Sequence, residues 1–324
     1  MSYWIKYACL LTLLLLLIAI GLFAGPSNLG AKEIWGSLVA LDNEGFSDTI
    51  IWSIRFPRIA VSLVAGACLG LAGVLIQLST RSPFGDPNLF GVGGGATIFI
   101  TATLTGVVAI GPLGTFTGSI AASTIVALLL SKLVSSKDLS PIKLAVIGIA
   151  IGALTVSIGT SVMSHGRIFP TQVIGLLAGS FTASTWGIFW YSLIALVSCF
   201  VVSIRMCNKF LPIMLGDIVS RSLGVNPIRI RTIAMAIAGI LTGAAVYSGG
   251  LIAFVGLISP HITRRLLSNS PSHLVIGSTT IGAIVTLGSD QLSRLLFAPA
   301  ELPVGMTTTI VGALLMIYLA LKMK

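Results

Sequence analysis

A chain of 324 residues that is 55% hydrophobic and only 9% charged, with mean hydropathy +1.05, has too little charge to cover a soluble surface. Its net charge of +10 comes from lysines and arginines placed singly or in pairs beside apolar runs, a positive-inside pattern that excludes nucleic acid as a partner and makes membrane lipid the solvent. Four cysteines (Cys9, Cys68, Cys199, Cys207) are scattered in or beside apolar segments without CxxC spacing, as small hydrophobes rather than a disulfide or metal site.

The reading is an all-α polytopic membrane protein. Lys6 followed by the apolar run 7–24 predicts a retained first span, too long for the core of a cleaved signal. Residues 25–53 form the longest polar stretch, an extracytoplasmic loop carrying Lys32, Glu33, Asp42, Glu44 and Asp48, with Trp35 and Trp52 as interfacial anchors. A second span, about 55–78, leads into RSPFGDPNLFGVGGGA at 81–96, and a third continues to about 108. Gly111-Pro112-Leu113-Gly114 turns into a fourth that ends near Lys132, and Lys137, Asp138 and Lys143 surround the start of a fifth, which runs to about 163. Residues 165–170 read as a turn, and 173–181 is apolar but too short to cross. A sixth span at about 186–203 precedes Arg205, Lys209 and an amphipathic segment; a seventh occupies about 228–247. Gly249, Gly250, Gly256 and Pro260 make 249–267 an irregular eighth. A ninth at about 273–297 and a polar corner at 299–303 lead to a tenth, which ends at Lys322 and Lys324. With the N-terminus inside, 14 of the 19 Lys and Arg fall at inner ends, and the outer side holds only Lys32, Arg55, Arg58, Arg167 and Arg294. Both termini are therefore expected on the cytoplasmic side of one transmembrane domain, 1–324.

The amphipathic segment LGDIVSRSLGVNPIRIR, 215–231, lies on that cytoplasmic side. Leu215, Ile218, Val219 and Leu223 recur at the spacing of one helix face, while Asp217, Ser220 and Arg221 occupy the other. Asp217 suits the positive end of a helix dipole, Gly224 is a C-terminal stop, and Asn226-Pro227 reads as cap and first residue of the next helix. Two readings stand: an interfacial loop helix, or a docking helix that receives force from a soluble partner.

Chemistry is sparse. There is no GxxxxGK[ST], and GVGGGA at 91–96 has no lysine; its glycines suit close helix packing or a broken helix, so this chain alone does not hydrolyse ATP. His165, His261 and His273 are far apart in sequence, without HExxH or GxSxG, and His261 reads as a structural hydrogen-bonding group. Asp290 and Arg294 are one helical turn apart and can pair near the outer end of the ninth span. An ion-coupled transporter would carry an acidic residue nearer the bilayer centre without a cation beside it. Arg55, Arg58 and Arg294 stand out on a cation-poor side, either snorkelling to headgroups or forming a patch for carboxylates of an extracytoplasmic partner. In the fifth span Gly148, Gly152, Thr155 and Gly159 share a face suited to close helix contact. Ser157, Ser161 and Ser164 share another, facing a pore or bonding neighbouring helices.

Five motifs in this order and spacing, RFPR (55–58), RSPFGDPNLFGVGGGA (81–96), LGDIVSRSLGV (215–225), GGLIAFVGLISPHITR (249–264) and SDQLSRLLFAPAELPVG (289–305), cover nearly the whole chain. Together they resemble the FecCD-type permease subunits of type II ABC importers for iron chelates, haem and cobalamin. Departures from the family pattern are Ser82 and Gly85 in place of Asn and Ala, Asp217 where Glu is common, and Gly250 and Ala253 in place of Pro and Gly. The resemblance implies a ten-helix type II importer permease fold in a bacterial cytoplasmic membrane. It implies a transport subunit rather than an enzyme, paired with a second permease, a paralogue rather than an identical copy. Two cytoplasmic ATPase subunits would bind ATP and Mg, leaving this chain without a cofactor or metal, and a substrate-binding protein would deliver the ligand from outside. Arg55, Arg58 and Arg294 match the docking arginines of the family. Leu215, Gly216, Asp217, Ile218, Ser220, Arg221, Ser222, Leu223 and Gly224 match its coupling helix, expected at about 213–224. Ser157, Ser161 and Ser164 lie on the span that the family places along the translocation pathway. The implied cargo is a ferric-siderophore-type chelate, with haem or cobalamin as the alternative within the family and an ion-coupled secondary transporter as the rival outside it.

Overall fold

Hydrocarbon offers no hydrogen bonds to an exposed backbone, so a chain this apolar folds as helices that satisfy their own amides. In the computed structural model of the protein, the described residues are all except 1–2, 24–29, 40–44, 137–140, 165–169, 297–299 and 323–324. Among them every regular element is helical. The expectations attached to Asp42, Glu44, Lys137, Asp138, His165, Arg167 and Lys324 lie outside the described residues.

The order is α1 (Tyr3–Phe23), α2 (Ala31–Val39), α3 (Phe46–Thr49), a π-helical turn (Ile50–Arg55), α4 (Phe56–Thr80), α5 (Val92–Leu104), α6 (Pro112–Ser136) and α7 (Pro141–Ser164). It continues through α8 (Pro170–Ala178), α9 (Trp186–Leu215), α10 (Asp217–Ser222), α11 (Pro227–Gly249), α12 (Val255–Leu266), α13 (Pro271–Leu295) and α14 (Val304–Lys322). Among the described residues seven helical stretches are long and apolar enough to cross a bilayer: 3–23, 49–80, 112–134, 145–164, 186–215, 227–249 and 271–295. α5 and 304–314 are apolar but shorter.

The centre of the bundle is α4, buried along almost its whole length and packed by α9, α11, α12 and α13. Its small residues allow the approach. A Cβ on Gly66 would overlap Gly282, one on Gly70 would overlap Ser278 and one on Gly73 would overlap Gly256, the small-xxx-small logic of helix packing in lipid. α11 fills the other half of the core against α4, α6 and α9, and α5 bridges α6 and α7. By contrast α1 buries only Leu10 and Gly21 and turns Leu11, Leu13, Leu15 and Leu16 outward, as a lipid-facing helix does.

Two boundaries and one anchor residue differ from the sequence reading. The second span does not open at Arg55, because helix runs continuously from Phe46 through Pro57. A proline ring clashes with the carbonyl four residues earlier, and the π-helical turn Ile50–Arg55 widens the spacing at that point. The sixth span does not stop near 203: α9, 30 residues long, carries on past Arg205 and Lys209 to Leu215, with Pro212 in its last turn. Long basic side chains reach water from such a helix end without breaking it. Trp52 is not a simple interface anchor, since its ring stacks on Phe56 and its Nε1–H donates to Ser37 O at 3.2 Å. Trp35 is 65% exposed, as an anchor would be.

The irregular eighth segment is as expected. After α11 the chain runs non-helically through residues 251–253 before the 12 residues of α12. Its backbone finds partners in neighbours: Leu251 N–H donates to Leu176 O at 2.8 Å, Ser180 N–H to Gly249 O at 2.9 Å, and Asn88 Nδ2 to Ile252 O at 2.7 Å. The short apolar run near 173–181 is α8, nine residues packed on α11 and α14. All four cysteines are free, three of them buried.

Candidate functional site

The joint between α9, α10 and α11 is built from cap chemistry. Gly216 sits at φ +126°, ψ 158°, a conformation that a side chain disfavours, and so lets α9 end and α10 begin without a spacer. Six residues later α10 ends in a Schellman turn: Gly224 adopts φ +75°, its N–H donates to Arg221 O at 3.0 Å, and Val225 N–H donates to Ser220 O at 2.9 Å. Asn226 then caps α11, its Oδ1 accepting from Ile228 N at 3.1 Å and Arg229 N at 3.3 Å, with Pro227 in the first turn. The helix is thus 217–222, and residues 213–215 belong to α9 rather than to the segment expected at about 213–224.

Asp217, the first residue of α10, is held by two arginines from different helices. Arg231 of α11 donates from Nη1 to Oδ2 at 3.0 Å and from Nη2 to Oδ1 at 2.7 Å. Arg81 donates from Nη2 to Oδ1, and from Nε to Ile213 O at 2.8 Å. Arg81 caps α4 in the left-handed region at φ +52°, unusual for a residue with a Cβ. Its bonds to α9 and α10 hold it there. Burial works against the charge of Asp217, but the hydrogen bonds and charges of Arg231 and Arg81 outweigh it and keep its carboxyl below the usual carboxylate range. This clasp ties α10 to α4 and α11 as well as to α9. Neither arginine stands out as a site residue in the sequence, and with Arg81 and Asp217 136 positions apart no spacing rule signals that pair.

The helix clasped this way presents its faces in reverse. Ser220 is fully buried and Asp217 points inward, whereas Ile218 is 84% exposed, Leu215 65% and Leu223 61%, with Val219, Arg221 and Ser222 also outward. Among the described residues nothing covers that apolar face, which leaves it to lipid or to a soluble partner.

On the opposite side of the bundle, Arg55, Arg58 and Arg294 are brought near one another but are buried. Arg55 donates to Leu22 O. Arg58 is shared between two carboxylates: it reaches Asp290 from Nε at 3.2 and 3.1 Å and from Nη2 at 2.8 Å, and Glu301 from Nη1 at 3.1 and 2.9 Å. The pairing expected between Asp290 and Arg294 is therefore corrected. The fully buried Asp290 takes the guanidinium of α4, which can approach it bidentately across the helix interface. Glu301, also missed as a site residue, is the more accessible partner, with its side chain 27% exposed.

α7 places Gly148, Gly152, Thr155 and Gly159 against Phe90, Gly91 and Thr97, so that face is a packing face, with Thr155 also hydrogen-bonded to Gly91 O at 3.4 Å. The glycines of GVGGGA serve the same contacts, Gly94 against Thr155 and Gly95 against Ala122. Ser157, Ser161 and Ser164 are exposed. Ser161 and Ser164 return their hydroxyls to their own helix, on Ser157 O at 2.8 Å and Thr160 O at 3.0 Å. Ser157 and Ser161 line an open concavity of about 540 Å³, and Ser164 is not among its lining residues. A second cavity of about 570 Å³ lies beside the broken stretch before α12, with Asn88, Val156, Leu177, Leu251, Met306 and Thr309 in its wall. Asp86 is wholly buried, its Oδ1 accepting from the backbone of two residues that line this cavity, Asn88 N at 2.9 Å and Leu89 N at 3.0 Å. The hydrogen bond expected of His261 is absent at Nδ1, which is buried without a partner among the described residues.

Comparison with known proteins adds to this geometry. The model of the FecCD transport family matches residues 13–322. The chain is 33% identical to a Bacillus subtilis protein named "Probable siderophore transport system permease protein YfhA", over 99% of this chain and 95% of that one. It is 30% identical to the hemin transport system permease protein HmuU of Yersinia pestis, over 96% and 95%. Among solved structures it is similar to one described as "An inward-facing conformation of a putative metal-chelate type ABC transporter", at TM-score 0.82 and 25% identity, covering 99% of this chain and all of the other.

Proposed function

The chain belongs to the FecCD transport family and is the permease subunit of an ABC importer, and on that premise we propose that it carries a ferric-siderophore-type iron chelate across the bacterial cytoplasmic membrane, driven by separate ATPase subunits docked on α10. The observation that carries the reading of α10 is its inverted amphipathicity. Asp217 is clasped inward by Arg81 and Arg231, while Ile218 and Leu223 stand outward. An exposed apolar patch on a rigidly anchored helix is a docking surface awaiting a partner. Closure of two ATPases would push on α10, and the clasp would pass that displacement to α4 and α11 together rather than to α9 alone.

Arg55, Arg58 and Arg294 are proposed as the outer docking patch. Arg58 is already shared by Asp290 and Glu301, so a carboxylate of the binding protein would reach it by displacing Glu301, the more accessible of the two. The route would run between this chain and a paralogous second permease, along the exposed α7 serines Ser157, Ser161 and Ser164 and the cavity at Asn88 and Met306, and would open alternately to each side. A haem reading has support in the similarity to the hemin permease.

Reconstitution tests the assignment. Proteoliposomes holding this chain, its partner permease and the ATPases should take up ferric siderophore only with ATP and binding protein. Uptake of the same chelate by this chain alone, driven by a proton or sodium gradient, would overturn it. Uptake of hemin with exclusion of ferric siderophore would assign the haem cargo instead.

A further inference from the structure

Beside the clasp lies a smaller concavity of about 270 Å³, between the inner ends of α4, α9 and α12, with Gln77, Arg81, Ser82, Met214, Arg264 and Asn269 among its lining residues. Its chemistry is cationic. Arg264, in the last turn of α12, is half-buried, and its Nη1 donates at 2.7 Å to Oε1 of Gln77, a neutral acceptor. Among the described residues no carboxylate forms an ion pair with it. Arg81 is engaged with Ile213 O and Asp217, and Asp217 is shared with Arg231. Arg81, Arg231 and Arg264 thus carry three positive charges at this corner against the one negative charge of Asp217. A guanidinium drawn partly out of water costs free energy unless an anion meets it.

We propose that this pocket receives a carboxylate side chain of the cytoplasmic ATPase subunit, as a second, charge-based contact beside α10. The proposal rests on the reading of α10 as the ATPase-docking helix. Two residues join the pocket to the helix: Met214, in the last turn of α9 just before α10, and Arg81, which is bonded to Asp217, both line the pocket. The guanidinium fork of Arg264 has N–H groups left beyond the one on Gln77, in the planar arrangement that matches a carboxylate. α10 would then transmit the push, and Arg264 would set the register and add an attractive field for encounter.

The test measures binding of the cognate ATPase subunit, isolated with the permease, to this chain and its partner in nanodiscs of zwitterionic lipid. Arg264→Gln should weaken binding by about tenfold or more at low salt, and the difference should shrink toward high salt. Arg264→Lys should recover part of the loss. Gln77→Glu, which hands Arg264 an internal carboxylate without removing the arginine, should weaken binding in the same salt-dependent way, and so guards against a folding defect in the first variant. Ile218→Asp reports on the underlying reading. If it abolishes binding while Arg264→Gln and Gln77→Glu leave it unchanged, α10 is the docking helix and the pocket is not a contact. If all three leave binding unchanged, both ideas fall. If Arg264→Gln leaves ATPase affinity intact but removes a dependence of uptake on phosphatidylglycerol, the pocket holds a lipid phosphate and the proposal is overturned.

Discussion

Asp217→Asn removes the negative charge that holds α10 in place while keeping the size of the side chain. Arg231, which donates to both carboxylate oxygens at 2.7 and 3.0 Å, then keeps only one acceptor and that one uncharged, although its side chain is only 9% exposed and its Nε already has no partner. Hydrogen bonds to a charged group contribute roughly 1.5–3 kcal/mol each. The carboxylate of Asp217 is 40% exposed, so water screens part of that and a total of about 1–3 kcal/mol is the expected loss. That corresponds to a factor of about 5–150 in the population of correctly seated helix. In proteoliposomes the variant should insert, assemble and hydrolyse ATP, but its uptake per ATP should fall within that range. Arg231→Gln should behave alike, and the double variant should cost little more than the worse single one, since both remove the same contact. An uptake-to-ATP ratio equal to that of the unmodified protein would refute the clasp.

Further outcomes follow from the same geometry. Because the folded-state pKa of Asp217 lies below its unfolded value of about 3.9, the contribution of the clasp is present above about pH 4 and lost only as pH falls through the folded value; permease–ATPase affinity should therefore be flat from about pH 8 to about pH 5. Deleting 220–224, or replacing Arg221, should leave insertion intact and uncouple hydrolysis from uptake, read as ATPase activity without transport. Arg58→Ala strands the fully buried Asp290 and should lower stability by about 3–5 kcal/mol, seen as a large drop in Tm in detergent; an unchanged Tm would mean the buried pair holds nothing together. Gly70→Leu drives a side chain into Ser278 O at the α4–α13 contact and should abolish folded protein on size exclusion, whereas Gly36→Ala, with open space around it, should not.

What the sequence revealed and what it hid divide by distance along the chain. Gly224, Asn226 and Pro227 were legible because cap chemistry acts over a few residues, and the packing face of α7 was legible because Gly148, Gly152 and Gly159 follow the helical period. The clasp was not, since Arg81 and Arg231 look like ordinary positive-inside residues until the fold brings them to one carboxylate. Asp290 shows the limit of local pairing rules. Arg294, one turn away, satisfies the spacing, but burial across the α4–α13 interface favours Arg58, 232 residues distant. The end of α9 was misread for a different reason: hydropathy falls at Arg205 and Lys209, while the helix continues because its basic side chains reach the cytoplasmic surface. The exposure of Ile218 and Leu223 could not be read at all, since a periodic apolar face gives its direction only relative to the rest of the fold.

The central claim is that the outward face of α10 is where an ATPase subunit docks. A cysteine placed at Ile218 and cross-linked in the assembled importer tests this most directly. The account predicts an adduct with the ATPase subunit in high yield, suppressed when Asp217 is replaced by Asn. Cross-linking to lipid alone, with no ATPase adduct in an active complex, would contradict it.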